Sequence, residues 1–283
     1  MYKIVRRREL NPTVTQIEVE APLVARKAKP GQFIILRVDE DGERIPLTVA
    51  GTDPSEGTVK VIFQVVGATT EKLNHKQAGE SLQDFAGPLG VPTHTEGLRN
   101  VCVIGGGAGC AIAMPVAQEF HRLGAKVTSI VGFRNKDLLI LEEEFNACSD
   151  QLIVMTDDGS YGRHGNVTIP LKEMLDAGER FDMIIAIGPL IMMKFVVSTA
   201  RPYKVPVTVS MNPIMIDGTG MCGGCRLTLV SEDGTRTTKF ACVDGPDFDG
   251  YLIDFDEAMS RSRMYFDFER HAHEAACNLF RQA

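Results

Sequence analysis

Apolar positions in the first hundred residues fall into short runs rich in β-branched side chains. KIVRRREL, VTQIEVEAP, QFIILRV, IPLTVAG and VKVIFQVVG are separated by the turn signals KPGQ, DEDGE and DPSEG. Helical spacing is nearly absent until TTEKLNH. The pattern predicts an antiparallel barrel or sandwich over residues 1–97.

From Asn100 the pattern changes. NVCVIGGGAGCAIAMPVAQEFHRLGAKVTSIVGF reads as a strand at 101–104, a glycine-rich loop at 105–109, a helix ending at Gly124 and a second strand at 126–131. FDMIIAIGP at 181–189 contains a further buried parallel strand, so residues 98–208 are expected to form a Rossmann-like α/β domain. Residues 209–250 show little regular periodicity. The tail, 251–283, opens with the capping pair Asp254 and Glu257 and continues in a helical stripe of Tyr265, Phe268, Ala272, Ala275 and Leu279.

Composition narrows the function. The formal net charge of -7, with no basic run beyond RRR near the N-terminus, argues against nucleic acid as a partner. There is no apolar stretch of the roughly 20 residues that span a bilayer and no signal-like core in MYKIVRRREL, so a cytoplasmic, membrane-free chain is expected. Of the seven cysteines, Cys102, Cys110, Cys148 and Cys277 stand alone and read as core residues.

The other three do not. Cys222 and Cys225 lie two residues apart in IDGTGMCGGCRLTL, Cys242 follows after a gap of sixteen, and Asp217 precedes Cys222 with four residues between them. This spacing tracks the plant-type ferredoxin arrangement with aspartate in the first position, and glycines 218, 220, 223 and 224 would let backbone wrap an iron-sulfur cluster. Three thiolates and a carboxylate could also bind zinc.

Two further motifs point to nucleotides. Gly105, Gly106, Gly107 and Gly109 place backbone N–H groups at a helix start suited to a pyrophosphate, although Cys110 stands where a third motif glycine would be. No acidic residue for a ribose hydroxyl is evident after the second strand. Arg134 could face a 2'-phosphate or stack on adenine, which leaves NAD(H) and NADP(H) both open. In RIPLT, strand alternation puts Arg44, Pro46 and Thr48 on one face.

Taken together, the barrel with Arg44-x-Pro46-x-Thr48, the glycine-loop domain and the cysteine segment resemble the ferredoxin reductase superfamily of flavoproteins. The resemblance covers essentially the whole chain. Within that superfamily the chain is similar to iron-sulfur subunits related to the dihydroorotate dehydrogenase electron-transfer subunit. Asp217, TDDGSYGRHGNVT and IGPLIMMKF resemble the small subunits of NADH-dependent ferredoxin:NADP oxidoreductase and of sulfide dehydrogenase.

The resemblance implies an FAD-binding barrel, an NAD(P)-binding domain, a [2Fe-2S] cluster on Asp217, Cys222, Cys225 and Cys242, and a helical tail. It also implies a heterodimer with a larger flavin and [4Fe-4S] subunit that exchanges electrons with ferredoxin by flavin-based bifurcation. Arg44 would hold the FAD pyrophosphate, Thr48 would lie by the reactive flavin nitrogen, and Leu47 would offer an aliphatic contact where many relatives have tyrosine. Gly67, Thr69 and Thr70 match a second phosphate-contacting turn. Gly188 and Pro189 match the turn that approaches the nicotinamide, and Ile187 stands where many reductases have cysteine. A reading from a different class is a zinc-stabilised interaction module that only senses NAD(P), which would need no flavin.

Overall fold

The computed structural model describes residues 1–264. The stripe expected from Tyr265 to Leu279, and Cys277, lie outside them. Seven strands form the first sheet: β1 (Tyr2–Asn11), β2 (Val14–Glu20), β3 (Phe33–Arg37), β4 (Arg44–Asp53), β5 (Thr58–Gln64), β6 (Ser81–Leu82) and β7 (Asp84–Leu89). Their antiparallel order is β6-β1-β2-β5-β4-β3-β7. The two edge strands are consecutive in sequence, and the intervening Gln83 donates its N–H to Arg37 O at 3.0 Å, so the sheet curls into the expected barrel. Ile4, Ile17, Ile34, Leu36, Val61 and Phe63 fill its interior. Two short helices, α1 (Pro22–Ala25) and α2 (Ala68–His75), bridge its strands.

The second sheet is built from β8 (Asn100–Gly106), β9 (Lys126–Phe133), β10 (Gln151–Thr156), β11 (Arg163–His164), β12 (Met183–Ile187) and β13 (Val207–Ser210), with the helices α3 (Cys110–Arg122), α4 (Glu142–Ala147), α5 (Thr168–Asp176) and α6 (Leu190–Ala200). In β8 alternate residues go to opposite faces: Val101 and Val103 pack with the α3 residues Ala113, Ala117 and Phe120, while Cys102 and Ile104 pack with Leu171, Met193 and Val196. Both faces are therefore covered, which accounts for the continuous apolar strands. Cys110 and Cys148 are buried in the same core, as expected.

The third segment is more regular than its pattern suggested. The strands β14 (Arg226–Val230) and β15 (Arg236–Phe240) form an antiparallel hairpin, followed by α7 (Ala241–Asp244), β16 (Asp247–Asp249) and α8 (Phe255–Ser262). β16 pairs antiparallel with β13, so the cluster segment completes the edge of the nucleotide sheet. The expected boundary at 208/209 cuts through β13. The Asp254 carboxylate caps α8 by accepting from Glu257 N–H at 2.9 Å, as the pair predicted. Among the described residues no helix is long and apolar enough to cross a membrane.

Candidate functional site

The two glycine motifs of the nucleotide domain meet in space. The parallel order β11-β10-β9-β8-β12-β13 reverses between β8 and β12, and a crevice at such a reversal is where open α/β sheets take ligands. Gly105 to Gly109 leave β8 there, and Gly188 and Pro189 leave β12. A Cβ on Gly188 would stand 3.1 Å from Gly106 Cα, and one on Gly106 would stand 3.2 Å from Pro189 Cδ. The two glycine turns thus pack closely on each other at the start of α3, a place suited to a pyrophosphate.

Next to this crevice, Arg134 follows β9. Asp158 N–H donates to Arg134 O at 3.3 Å and Asp157 N–H donates to Phe133 O at 3.0 Å. The backbone of Asp157 and Asp158 therefore runs beside Phe133 and Arg134 at the carboxyl ends of β9 and β10. Hydrogen bonds from Ser160, its side chain first, hold the Asp158 carboxyl below the usual carboxylate range. Acidic residues that the second strand lacks thus follow the third. An Asp-Asp-Gly directly after an apolar strand was the signal that could have found them.

On the barrel, β3 and β4 pair Phe33 with Thr48, Ile35 with Pro46 and Arg37 with Arg44. Arg44, Pro46 and Thr48 share a face as expected. Leu47 does not join them: it pairs with Ile34 and packs against the barrel interior. The turn at Gly67 lies close by, since Thr69 Oγ1 donates to Glu43 Oε2 at 3.4 Å. Thr70 Oγ1 accepts from the N–H groups of Val66 and Gly67, both at 3.0 Å, which shapes the start of α2. Arg44 is exposed, and among the described residues its guanidinium has no partner. A free guanidinium beside a helix start and the open space at Gly67 fit a dinucleotide pyrophosphate.

The cluster loop carries three positive-φ glycines, Gly218 (77°), Gly220 (85°) and Gly223 (67°), which wind it tightly. Asp217 Oδ1 accepts from Thr219 N–H at 3.1 Å and from the Thr219 hydroxyl, and Oδ2 accepts from Cys222 N–H at 3.2 Å. These partners, the Thr219 hydroxyl first, hold its carboxyl down to about 2. Cys225 comes from the start of the hairpin and Cys242 from α7, and their sulfurs lie 3.2 Å apart. Burial, helped by Cys225, pushes the Cys242 thiol up to about 12. Gly224 N–H donates to Cys222 Sγ and Cys242 N–H to Cys225 Sγ, each at 3.5 Å.

Amide donors turned to sulfur are what a thiolate-held cluster requires. Among the described residues, no three His, Cys, Asp or Glu side chains are gathered to hold a single metal ion. Three thiols and a carboxylate on a glycine-wound loop, with amides turned to two of the sulfurs, fit an iron-sulfur cluster. The loop also touches the barrel directly. A Cβ on Gly218 would stand 2.9 Å from Leu89 Cδ1 and 3.1 Å from Ile35 Cγ1, and Ile35 is the residue paired with Pro46.

Residues 212–254 match the model of the iron-sulfur cluster binding domain of dihydroorotate dehydrogenase B. The chain is 44% identical to the dihydroorotate dehydrogenase B (NAD(+)) electron transfer subunit homolog of Thermotoga maritima, over 97% of this chain and 95% of that one. It is 33% identical to the corresponding electron transfer subunit of Streptococcus pneumoniae, over 87% and 97%. The chain belongs to the dihydroorotate dehydrogenase B electron-transfer subunit family. A solved structure of an NADH-dependent reduced ferredoxin-NADP oxidoreductase, described for flavin-based electron bifurcation, superposes with a TM-score of 0.89 at 43% identity, covering 97% of both chains.

As a member of this family the chain is an oxidoreductase electron-transfer subunit, a flavoprotein with FAD, an iron-sulfur cluster and a nicotinamide nucleotide site. In family terms, the barrel, the switch-point crevice and the glycine-wound loop are three stations. The cluster loop meets β3 through Gly218 and Ile35, and α3 packs against β4.

Proposed function

We propose that this chain transfers hydride between NAD(H) and FAD and passes electrons through a [2Fe-2S] cluster to a larger partner subunit. The complex would be a bifurcating ferredoxin:NADP/NAD transhydrogenase. The observation that carries the reading is Gly218 of the cluster loop packed on Ile35, in register with Pro46 of the flavin strand. When bound, FAD accepts hydride and the cluster carries single electrons.

The chain's own residues bind, orient and exclude water. Arg44 pairs with the FAD phosphates, with the Gly67–Thr70 turn supplying backbone donors, and Thr48 presents its hydroxyl to the ring. Gly105 to Gly109 take the nicotinamide pyrophosphate, and Gly188 with Pro189 bring the nicotinamide to the flavin. Asp217, Cys222, Cys225 and Cys242 ligate the cluster. Ile216, Met221 and Val243, 55%, 89% and 45% exposed, form an apolar rim on the loop that suits a partner subunit.

Asp157 and Asp158 favour NAD(H), because a 2'-phosphate brought to Arg134 would meet two carboxylates. Anaerobic reduction followed in the visible spectrum tests this. NADH is expected to bleach the flavin and then the cluster, with NADPH at least about tenfold slower, and Asp157→Ser is expected to narrow the gap. Equal rates with both nucleotides would remove the assignment. The second reading, delivery of electrons from dihydroorotate, is favoured by the relatives' names. Reduction of the assembled complex by dihydroorotate would establish it.

A further inference from the structure

A second junction, centred on Asp247, ties the cluster segment to the barrel. Asp247 opens β16, opposite Ser210 of β13. Its Oδ2 accepts a 2.6 Å hydrogen bond from the Thr93 hydroxyl, on the segment that leads from the barrel into the nucleotide sheet. Thr93 N–H donates to Pro30 O at 2.9 Å and Val91 N–H donates to Gly245 O at 2.7 Å. Gln32 Nε2 reaches Gly90 O at 2.8 Å.

Gly31, with φ of 85°, is demanded by this junction, because a Cβ there would collide with the Thr93 hydroxyl. The next strand residue, Phe33, pairs with Thr48. A continuous line of bonded groups therefore runs from the flavin strand through residues 30–32 and 90–93 to Asp247, just beyond the ligand Cys242. Beneath residues 91–94 lies a cavity of about 200 Å³, lined in part by Thr93 and Asp247. Burial pushes the Asp247 carboxyl up against the opposing bonds from Thr93 and Ser210, which favours the neutral acid.

We infer that the Thr93 to Asp247 hydrogen bond is a positioning contact that holds the cluster segment at a fixed spacing from the flavin strand. This rests on the cofactor assignment made above. Hydride from NADH supplies two electrons to the flavin; one then passes to the oxidised cluster, reducing it by one, and the other stays behind. Only that second passage depends on the spacing. The nicotinamide crevice opens between β8 and β12, whereas Asp247 lies on β16, on the far side of β13.

The test compares the holoprotein with Thr93→Val and Thr93→Ser by rapid anaerobic mixing with NADH. In Thr93→Val, flavin reduction is expected at the wild-type rate and cluster reduction several-fold slower, since electron transfer falls with the distance between the two groups. Thr93→Ser restores the hydroxyl and the rate. Independently of any activity, amide hydrogen exchange at Val91 and Met211, whose N–H groups bond Gly245 and Pro246, is expected to rise in Thr93→Val and return in Thr93→Ser.

Unchanged cluster reduction with unchanged exchange would overturn the inference, and so would equal slowing of both steps. A wild-type chain without flavin or iron would instead remove the cofactor assignment. The exchange comparison would still decide whether Thr93 positions the segment.

Discussion

The two glycine-rich loops look alike in composition and differ in what their glycines do. In the loop from Gly105 to Gly109 only Gly107 has a positive φ, of 53°. The others are glycine because a Cβ would strike Cys110, Pro189 and Met192, or the backbone of Ile187 and Gly188. In the cluster loop Gly218, Gly220 and Gly223 all have positive φ, and around Gly223 there is ample room. One loop needs chiefly the space; the other needs the conformation, and at Gly218 and Gly220 the space as well. Close approach serves an elongated pyrophosphate lying along a helix start, and winding serves a compact cluster held from several sides.

That contrast can be broken one loop at a time. The largest effect is expected for Gly109→Ala, whose Cβ would run into Ile187 O and Gly188 Cα, both backbone. NADH-dependent flavin reduction is expected to fall by at least about a hundredfold, while iron content stays at the wild-type level. Loss of iron from that variant would mean that the two loops are not independent.

Gly220→Ala is the complementary change and the next in size. It forces alanine to φ of 85° and places Cβ 3.1 Å from Val243 Cγ2, a side chain that can shift. The left-handed conformation costs roughly 1–2 kcal/mol, so iron retention during chelator challenge is expected to weaken by about five- to thirtyfold. Flavin reduction by NADH should not change. Equal iron retention would show that the loop's winding is not needed for the cluster.

The smallest effect concerns the seam between the regions. Asp247 has a raised pKa in the fold and ionises at about 3.9 when unfolded. The folded chain therefore holds the proton longer, and wild-type stability falls as pH rises above about 4 towards the folded value. Asp247→Asn has no proton to lose and can still accept from Thr93. His94 and Asp249 line the same cavity and are common to both proteins, so they largely cancel in the difference. Urea unfolding across this window is expected to show the variant gaining on wild type with rising pH. A constant difference would remove the buried-acid assignment.

The barrel and the βαβ unit were legible because their apolar residues repeat with the period of the element. RIPLT and the glycine loop could be read as candidate sites for the same reason: each is a short local stretch whose geometry fixes the spacing. The hairpin from Arg226 to Phe240 is faint in the sequence, although Leu227 and Leu229 alternate, because RTTKF opposite is nearly all polar. Contacts made by topology left no local trace. The approach of Cys225 to Cys242, the Gly218 contact with Ile35 and the run of Asp157 and Asp158 beside Arg134 each need strands that are distant in sequence.

The central claim is that a flavin strand and a cluster loop are held side by side in one chain. An anaerobic visible spectrum of the purified chain, with FAD, iron and zinc quantified on the same sample, tests it most directly. The account predicts about one FAD and about two irons per chain. Zinc without flavin would contradict it and leave the cysteines as a structural site.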